Sequence, residues 1–201
     1  MDALLLARHG ESVFSAAGVV NGDPSVPGPL AEAGREQARR LGEALRVEEI
    51  ELCAVTPFER VRETADLALA GRDVPRLVVP ELSDPGYGSF EGGRLDAYRD
   101  WVWTHGPLDA PPGGESRAEI AARYARGLRL LLGRSERLIL LVAHSLTIRY
   151  ALNAAAGRAP QARAELVELA VPFRLEADEL GAAVELLEAW CADPAFPLAE
   201  R

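Results

Sequence analysis

The chain has 201 residues, of which 48% are hydrophobic and 26% charged, and its formal net charge is −9. This length and composition indicate one globular domain with a sizeable core and exclude a disordered or fibrous chain. Because acidic proteins bind nucleic-acid phosphates poorly and no window reaches the roughly 18 apolar residues of a membrane span, we expect neither nucleic acid nor membrane as a partner.

Strand-like and helix-like segments alternate through the first half of the chain. The N-terminus has Asp2 where a signal peptide carries basic residues, so we expect a cytoplasmic protein. The pattern then predicts a buried strand (3–7), a loop rich in Gly and Pro (12–29) and an amphipathic helix (32–46). A second strand (51–56), a second helix (57–70) and a short third strand (77–79) follow.

The second half continues the alternation. It predicts a glycine-rich loop (84–93) and two helices (95–103 and 115–132). The most strand-like run of the chain (138–142), another helix (146–156) and two edge strands (171–175 and 182–187) follow. No internal repeat or linker interrupts the pattern. The sequence therefore predicts an α/β fold, a single three-layer domain over residues 1–201 with a mostly parallel central sheet and helices on both faces.

Titratable side chains follow the carboxyl ends of the predicted strands, which is where open α/β sheets bind ligands. The first strand leads to Arg8 and His9, and the second to Arg60. The third strand leads to Asp84, and the strongest later strand to His144. We therefore expect two histidines, two arginines and one carboxylate at one edge of the sheet.

Several short motifs follow one another along the chain. They are Arg8-His9-Gly10-Glu11-Ser12, Pro29-Leu30 with Gly34, Gln37 and Ala38, Arg60 with Thr64-Ala65, Gly88 with Phe90-Glu91-Gly92, Gly113-Gly114-Glu115-Ser116, and Val142-Ala143-His144 with Ile148-Arg149. In this order they resemble the histidine phosphatase superfamily, the phosphoglycerate-mutase-like proteins. The resemblance runs from about residue 4 to residue 152. It implies a phosphomonoester hydrolase that acts on a small phosphorylated metabolite through a phosphohistidine intermediate.

The resemblance also assigns roles to the residues at the strand ends. It makes His9 the nucleophile, and a neutral imidazole is a good nucleophile near pH 7. Arg8, Arg60 and His144 then bind the phosphoryl group and stabilise its charge, so neither a metal nor a cofactor is expected. Asp84 donates a proton to the leaving alkoxide and later activates water.

The proton donor is one of the places where the chain departs from the family pattern. Asp84 stands where the family usually has Glu, and it is one methylene shorter. Glu91, in the nearby Phe90-Glu91-Gly92 segment, is the rival carboxylate. Both residues stay candidates for the acid and base.

The phosphate-binding loop also departs from the pattern. The family usually has Trp-Asn after the first motif, where this chain has Phe14-Ser15. Either Ser15 or Asn21 is expected to replace the missing amide as a donor to phosphate. Ser145 replaces the usual Gly after the second histidine, and we expect it to bind substrate.

Two further functions remain beside the phosphatase. A phosphoglycerate-mutase-type phosphotransferase resembles longer chains with an insertion before the second histidine, whereas this chain is compact there. A non-catalytic phosphate-binding module fits the shorter acid and the missing amide, but it does not need a nucleophile. Sugar phosphates, phosphoglycerates, α-ribazole phosphate and phosphoserine all fit as substrates, and the residues carry no signal of oligomeric state.

Overall fold

A five-stranded sheet forms the centre of the protein in a computed structural model that describes residues 1–196. Its strands are β1 (Ala3–Arg8), β2 (Leu52–Val55), β3 (Arg76–Val78), β4 (Leu138–Ala143) and β5 (Pro172–Glu176). They are ordered β3-β2-β4-β1-β5, and every neighbouring pair is parallel except β1 with β5. The predicted mostly parallel sheet is confirmed.

Seven α-helices surround the sheet within the described residues. They are α1 (Val13–Ala17), α2 (Glu32–Ala44), α3 (Glu59–Ala68), α4 (Leu95–Thr104), α5 (Arg117–Leu132), α6 (Ser145–Ala155) and α7 (Ala177–Ala192). Helices α2 and α3 pack on one face of the sheet, and α5, α6 and α7 pack on the other. The predicted three-layer arrangement is therefore confirmed.

The apolar run of β1 explains why both faces are covered. Successive side chains of a strand point to opposite faces. Leu4 and Leu6 belong to the core shared with α5, α6 and α7, whereas Leu5 and Ala7 belong to the core shared with α2 and α3. Because both faces of the strand are buried, its sequence is continuously apolar rather than alternating.

Two of the predicted local structures are wrong. Residues 182–187 were expected as an edge strand but lie inside α7, where Leu180, Val184 and Leu187 recur at helical spacing on the buried face. Short apolar runs of this length do not distinguish strand from helix. The predicted loop 12–29 begins with helix α1, whose N-terminus is closed by a capping box between Ser12 and Ser15.

The other predicted edge strand, residues 171–175, is confirmed as β5. The last part of the predicted domain, residues 197–201, lies outside the described residues. Across residues 1–196, no helix combines the length and the hydropathy needed to cross a membrane.

A close backbone approach fixes the loop after β1. A Cβ atom added to Gly34, which is buried in α2, would lie 2.0 Å from the carbonyl oxygen of Glu11. A Cβ added to Gly10 would lie 2.4 Å from the carbonyl oxygen of Gly34. Both contacts are with backbone, so a side chain at either position has to displace the segment that carries His9.

We therefore expect Gly34→Ala to destabilise the protein by about 1–3 kcal/mol, the usual cost of overpacking. At roughly 2–4 °C per kcal/mol for a chain of this size, thermal unfolding should detect the change. Gly181→Ala on α7 is the matched control, because its nearest contact is an ordinary 3.9 Å from Leu132. The control should be neutral or stabilising, since Ala favours helix more than Gly does. Equal melting temperatures for the two variants would contradict the expected clash.

Candidate active site

A pocket of about 180 Å³ opens where β1 and β4 end. Its polar lining includes Arg8, His9, Asn21, Arg60 and Asp84. Arg8 and His9 come from the end of β1, Arg60 from helix α3, and Asn21 and Asp84 from two loops. The strand ends thus bring the sequence-predicted groups to one edge of the sheet.

His9 is fixed in one protonation state by its surroundings. Its side chain is 4% exposed, and its Nδ1 lies 2.7 Å from the carbonyl oxygen of Gly10. A carbonyl only accepts hydrogen bonds, so Nδ1 carries the proton and Nε2 keeps its lone pair. Burial lowers the pKa of His9 well below its ordinary value, and Arg60, His144 and Arg8 lower it further. The ring is therefore neutral and nucleophilic at pH 7.

His144 lies behind the pocket wall. It is fully buried, and its ring packs edge-on against those of His9 and Phe58. Its Nε2 pairs with the hydroxyl of Thr56 at 2.9 Å. Its Nδ1 lies 3.2 Å from Oδ2 of Asp84, but the two atoms are not aligned as a hydrogen bond. Burial lowers the pKa of His144, and Asp84 only partly offsets this.

Arg60 is held by Asn21 and Asp84. Its Nη1 donates to Oδ1 of Asn21 at 2.7 Å, and its Nη2 donates to the carbonyl oxygen of Asn21 at 3.0 Å. The same Nη2 donates to Oδ2 of Asp84 at 3.1 Å. Its guanidinium stacks over the ring of Phe58 at 4.2 Å. These contacts set the orientation of a buried cation in the pocket.

The carboxylate of Asp84 lies between the guanidinium of Arg60 and the imidazole of His144. Burial alone raises the pKa of its carboxyl, but His144, Arg60 and His9 reverse this effect and hold the pKa well below its usual range. The Asp84 carboxyl is therefore ionised at pH 7. One of its two oxygens, Oδ2, contacts both Arg60 and His144.

Glu91, the other candidate carboxylate, does not line the pocket. Its side chain is exposed, and its two oxygens accept the backbone N–H of Gly22 at 2.8 and 3.1 Å. Burial raises its pKa, although the N–H groups of Gly22 and Asp23 oppose the shift. The residues that line the pocket include Asp84 and not Glu91.

The predicted phosphate donors of the loop already have partners. The amide nitrogen of Asn21 donates to the carbonyl oxygen of Asp23 at 3.1 Å, so Asn21 offers Arg60 its oxygen rather than offering phosphate its N–H. The hydroxyl of Ser15 lies in the capping box with Ser12. Both Asn21 and Ser15 line the pocket, and their contact with phosphate stays a prediction.

Arg8 and Ser145 meet at the segment that follows α6. Nη1 of Arg8 donates to the carbonyl oxygen of Val167 at 2.8 Å, and its buried Nε has no partner among the described residues. The hydroxyl of Ser145 accepts the N–H of Val167 at 2.8 Å. Ser145 is the first residue of α6 and lines the pocket, so the positive end of this helix lies at the pocket.

The same side chains have a donor set that could hold a metal ion. One ligand atom each from His9, Asp84 and His144 lie within 4.8 Å of one another. The competing use of the site is anion binding, because Arg60 already contacts Asp84 at 3.1 Å and would repel a cation there. Chelation experiments distinguish the two uses.

Three contributors were missed in the sequence. Thr56 bonds His144, and Thr64 accepts the N–H of Gly10 at 3.1 Å while donating to the carbonyl oxygen of Arg60 at 2.6 Å. Both could have been noticed, since Thr56 ends a predicted strand and Thr64 belongs to a quoted motif. Arg117 also lines the pocket, and no sequence pattern placed it there.

Comparison with known proteins identifies the family. The model of the histidine phosphatase superfamily (branch 1) matches residues 4–187. An acid phosphatase of Mycobacterium tuberculosis is 37% identical over 150 residues, which cover 70% of this chain and 69% of the relative. The chain belongs to the histidine phosphatase superfamily.

Two further similarities involve α-ribazole phosphatases. The adenosylcobalamin/α-ribazole phosphatase of Salmonella typhimurium is 41% identical over 88 residues, and this match spans 44% of the chain and only 43% of the relative. The crystal structure of the α-ribazole phosphatase from Shigella flexneri superposes with a TM-score of 0.73 at 27% identity, over 86% of this chain and 89% of that chain. The fold is thus the histidine phosphatase fold.

Proposed function

We propose that the protein hydrolyses phosphomonoesters of small metabolites through a phosphohistidine on His9. The observation that carries the proposal is the state of His9, a buried neutral ring whose Nδ1 is committed to Gly10 and whose Nε2 is free to attack. Arg8 and Arg60 line the same pocket. In phosphoryl transfer, positioning and charge stabilisation of this kind supply most of the rate.

The reaction proceeds in two displacements. Asp84 takes up a proton from solvent when the substrate dianion binds beside it. Nε2 of His9 attacks phosphorus, the bond from phosphorus to the ester oxygen breaks, and Asp84 gives this proton to the leaving oxygen. A water oxygen then attacks the phosphohistidine, Asp84 takes the proton of that water, and the phosphorus–nitrogen bond breaks. Inorganic phosphate leaves, and His9 is again neutral. Arg8, Arg60 and His144 stabilise the phosphoryl oxygens in both steps.

The other predicted contacts fit around this centre. Asp84 is the better acid and base than Glu91, because it contacts Arg60 and His144 whereas Glu91 holds the backbone of Gly22. Asn21 acts through Arg60. Backbone N–H groups at the start of α6, together with the hydroxyl of Ser15, complete the phosphate site in this proposal.

A small substrate suits the pocket. Its volume of about 180 Å³ is below the roughly 300–1,000 Å³ of pockets that enclose drug-sized ligands. The cytoplasmic location, the extension of the single domain to residue 201 and the lack of a nucleic-acid partner stay predictions from the sequence.

Turnover of a chromogenic ester should survive exhaustive chelation, because Arg8, Arg60 and His144 provide the positive charge that a metal would supply. The measurement is release of 4-nitrophenolate and inorganic phosphate before and after EDTA treatment, with a zinc-dependent phosphatase as the control. A large loss that Zn²⁺ or Mg²⁺ restores would mean that His9, Asp84 and His144 hold a catalytic metal.

Release of inorganic phosphate and calorimetry separate the alternative functions. A mutase converts 3-phosphoglycerate to its isomer with little free phosphate, whereas a phosphatase releases phosphate in proportion to substrate lost. A non-catalytic module binds orthophosphate, as calorimetry would show, but turns over no ester.

A further inference from the structure

Arg117 is a buried cation that has no counter-ion among residues 1–196. It is the first residue of α5, it is 8% exposed, and it lines the pocket. Its Nε and Nη1 are buried, and neither has a hydrogen-bond partner within residues 1–196. Burying an unpaired charge is costly, and proteins normally pair such a group or use it to bind a ligand.

Arg123, on the same helix, is an arginine with a structural role and serves as a comparison for Arg117. Its guanidinium donates to both oxygens of Glu115 and to the carbonyl oxygens of Glu81, Ser83 and Asp84. Arg123 therefore ties two loops to the helix and has its donors satisfied. Arg117 makes no such contacts, which sets it apart from a structural arginine.

The neighbours of Arg117 do not neutralise it. The titratable groups that interact with it most strongly are tyrosines, with Tyr150, Tyr98 and Tyr124 foremost. Burial raises the pKa of each of these phenols, so they are uncharged at pH 7. The hydroxyls of Tyr124 and Tyr150 are themselves buried without a hydrogen-bond partner in the described part of the chain. No carboxylate in the described part of the chain pairs with Arg117.

The charged residues that line the pocket also favour the binding of an anion. Its lining holds four arginines, Arg8, Arg60, Arg99 and Arg117, against two carboxylates, Asp84 and Glu165. Asp84 is engaged by Arg60 and His144. Arg99, half-buried on α4, also forms no ion pair with any residue that the structure describes. In a chain with a net charge of −9, this local excess of positive charge marks an anion-binding surface that extends beyond the His9 cluster.

We propose that Arg117 binds a second anionic group, carried by the leaving part of the substrate. The preferred substrates are then phosphomonoesters that also bear a carboxylate or a second phosphate, rather than phosphate esters of neutral alcohols. This inference rests on the proposed phosphatase function, since the phosphoryl group itself occupies Arg8, Arg60 and His9. Arg117 directly follows Ser116, the last residue of the Gly-Gly-Glu-Ser segment, and is not part of any motif that carries the family resemblance.

The test compares two matched pairs of substrates. In each pair a carboxylate replaces a hydroxymethyl group, with 3-phosphoglycerate against glycerol 3-phosphate for a short separation and 6-phosphogluconate against glucitol 6-phosphate for a long one. A charge-assisted contact typically corresponds to about 10- to 100-fold in affinity, so we expect kcat/KM of the wild type to favour the carboxylate in at least one pair by that factor.

Variants assign the preference to Arg117. Arg117→Met should bring the ratio of kcat/KM values within the favoured pair close to one, and Arg117→Lys should leave an intermediate ratio, because a lysine keeps the charge without the fork. Arg126→Met is the matched control, since Arg126 is exposed on the same helix and outside the pocket lining, and it should keep the wild-type ratio. Thermal melts establish that each variant is folded. If Arg117→Met does not fold, the wild-type ratios and Arg117→Lys decide.

Three results would overturn the inference. They are the absence of a preference in both pairs, a preference that survives in the Arg117 variants, and an equal loss on both members of a pair, which would put Arg117 on the transferred phosphate itself. Failure of the proposed function looks different. In that case the wild type turns over neither these esters nor 4-nitrophenyl phosphate.

Discussion

Replacing His9 by alanine is expected to lower kcat for 4-nitrophenyl phosphate by roughly 10⁴-fold or more, because the reaction loses its covalent path. His9 is 4% exposed, and its ring packs against that of His144. The alanine variant therefore leaves a cavity and should melt at a lower temperature than the wild type. His9→Gln fills more of this space, so it separates the loss of the nucleophile from the loss of packing.

The intermediate can be trapped directly. Rapid denaturation in alkali during turnover of a labelled phosphoester should leave an alkali-stable, acid-labile label on His9 of the wild type and none on either variant. His105→Ala is the matched control, because His105 is the one histidine of the three that lies outside the cluster, stacked on Trp101. That variant should keep both turnover and label. A His9 variant with near-normal kcat would refute the covalent mechanism, and label on His144 would move the nucleophile there.

The convergence of the site could be predicted because it follows from parallel strands. Residues at the carboxyl ends of β1 and β4 meet at the same sheet edge whatever the loops do, which brings His9 and His144 within 5.4 Å between ring centroids. The motif order then assigned the roles of Arg8 and Arg60. Local strand and helix patterns were sufficient for the first step, whereas the roles rest on the resemblance to the family.

What the sequence did not reveal depends on how loops and helix starts pack. Whether Asn21 offers its oxygen or its nitrogen to the pocket is decided by Asp23 and Arg60, which contact it from two directions. Arg117 is one of many arginines in the sequence, and only the packing of α5 shows that it is buried with no carboxylate partner among the described residues. The helical state of residues 182–187 likewise depends on burial of α7 against α5 and α6.

Because Asp84 is ionised, it has to gain a proton before it can act as the proposed acid. Burial raises the pKa of Asp84, but His144, Arg60 and His9 together hold it well below its usual range. An ionised carboxylate cannot donate a proton. In the proposed mechanism the phosphate dianion takes Arg60 and His144 from Asp84 and adds negative charge beside it, and both changes would raise the pKa of Asp84. Asp84 is therefore expected to gain its proton only when substrate is bound.

Asp84→Asn should therefore slow esters with poor leaving groups far more than esters with good ones. An alkyl phosphate leaves as a basic alkoxide and needs the proton in the transition state, whereas a nitrophenolate needs it much less. General acid catalysis typically contributes about 10²–10⁴-fold, so the two losses should differ by a factor of this order. The asparagine keeps the size of the side chain and removes the acidic proton.

The measurement is kcat/KM, or the single-turnover burst, for 4-nitrophenyl phosphate and for an alkyl phosphate. In the proposed mechanism these quantities report phosphoryl transfer to His9 and not the later hydrolysis, in which Asp84 is also expected to act. Removing the carboxylate frees Arg60 and His144 for phosphate, but this gain in binding applies to both esters and leaves their ratio unchanged. Glu91→Gln is the matched control and should leave the ratio at its wild-type value. A leaving-group-dependent loss in Glu91→Gln alone would transfer the role to Glu91, whereas equal losses for both esters in Asp84→Asn would make Asp84 a positioning residue for Arg60.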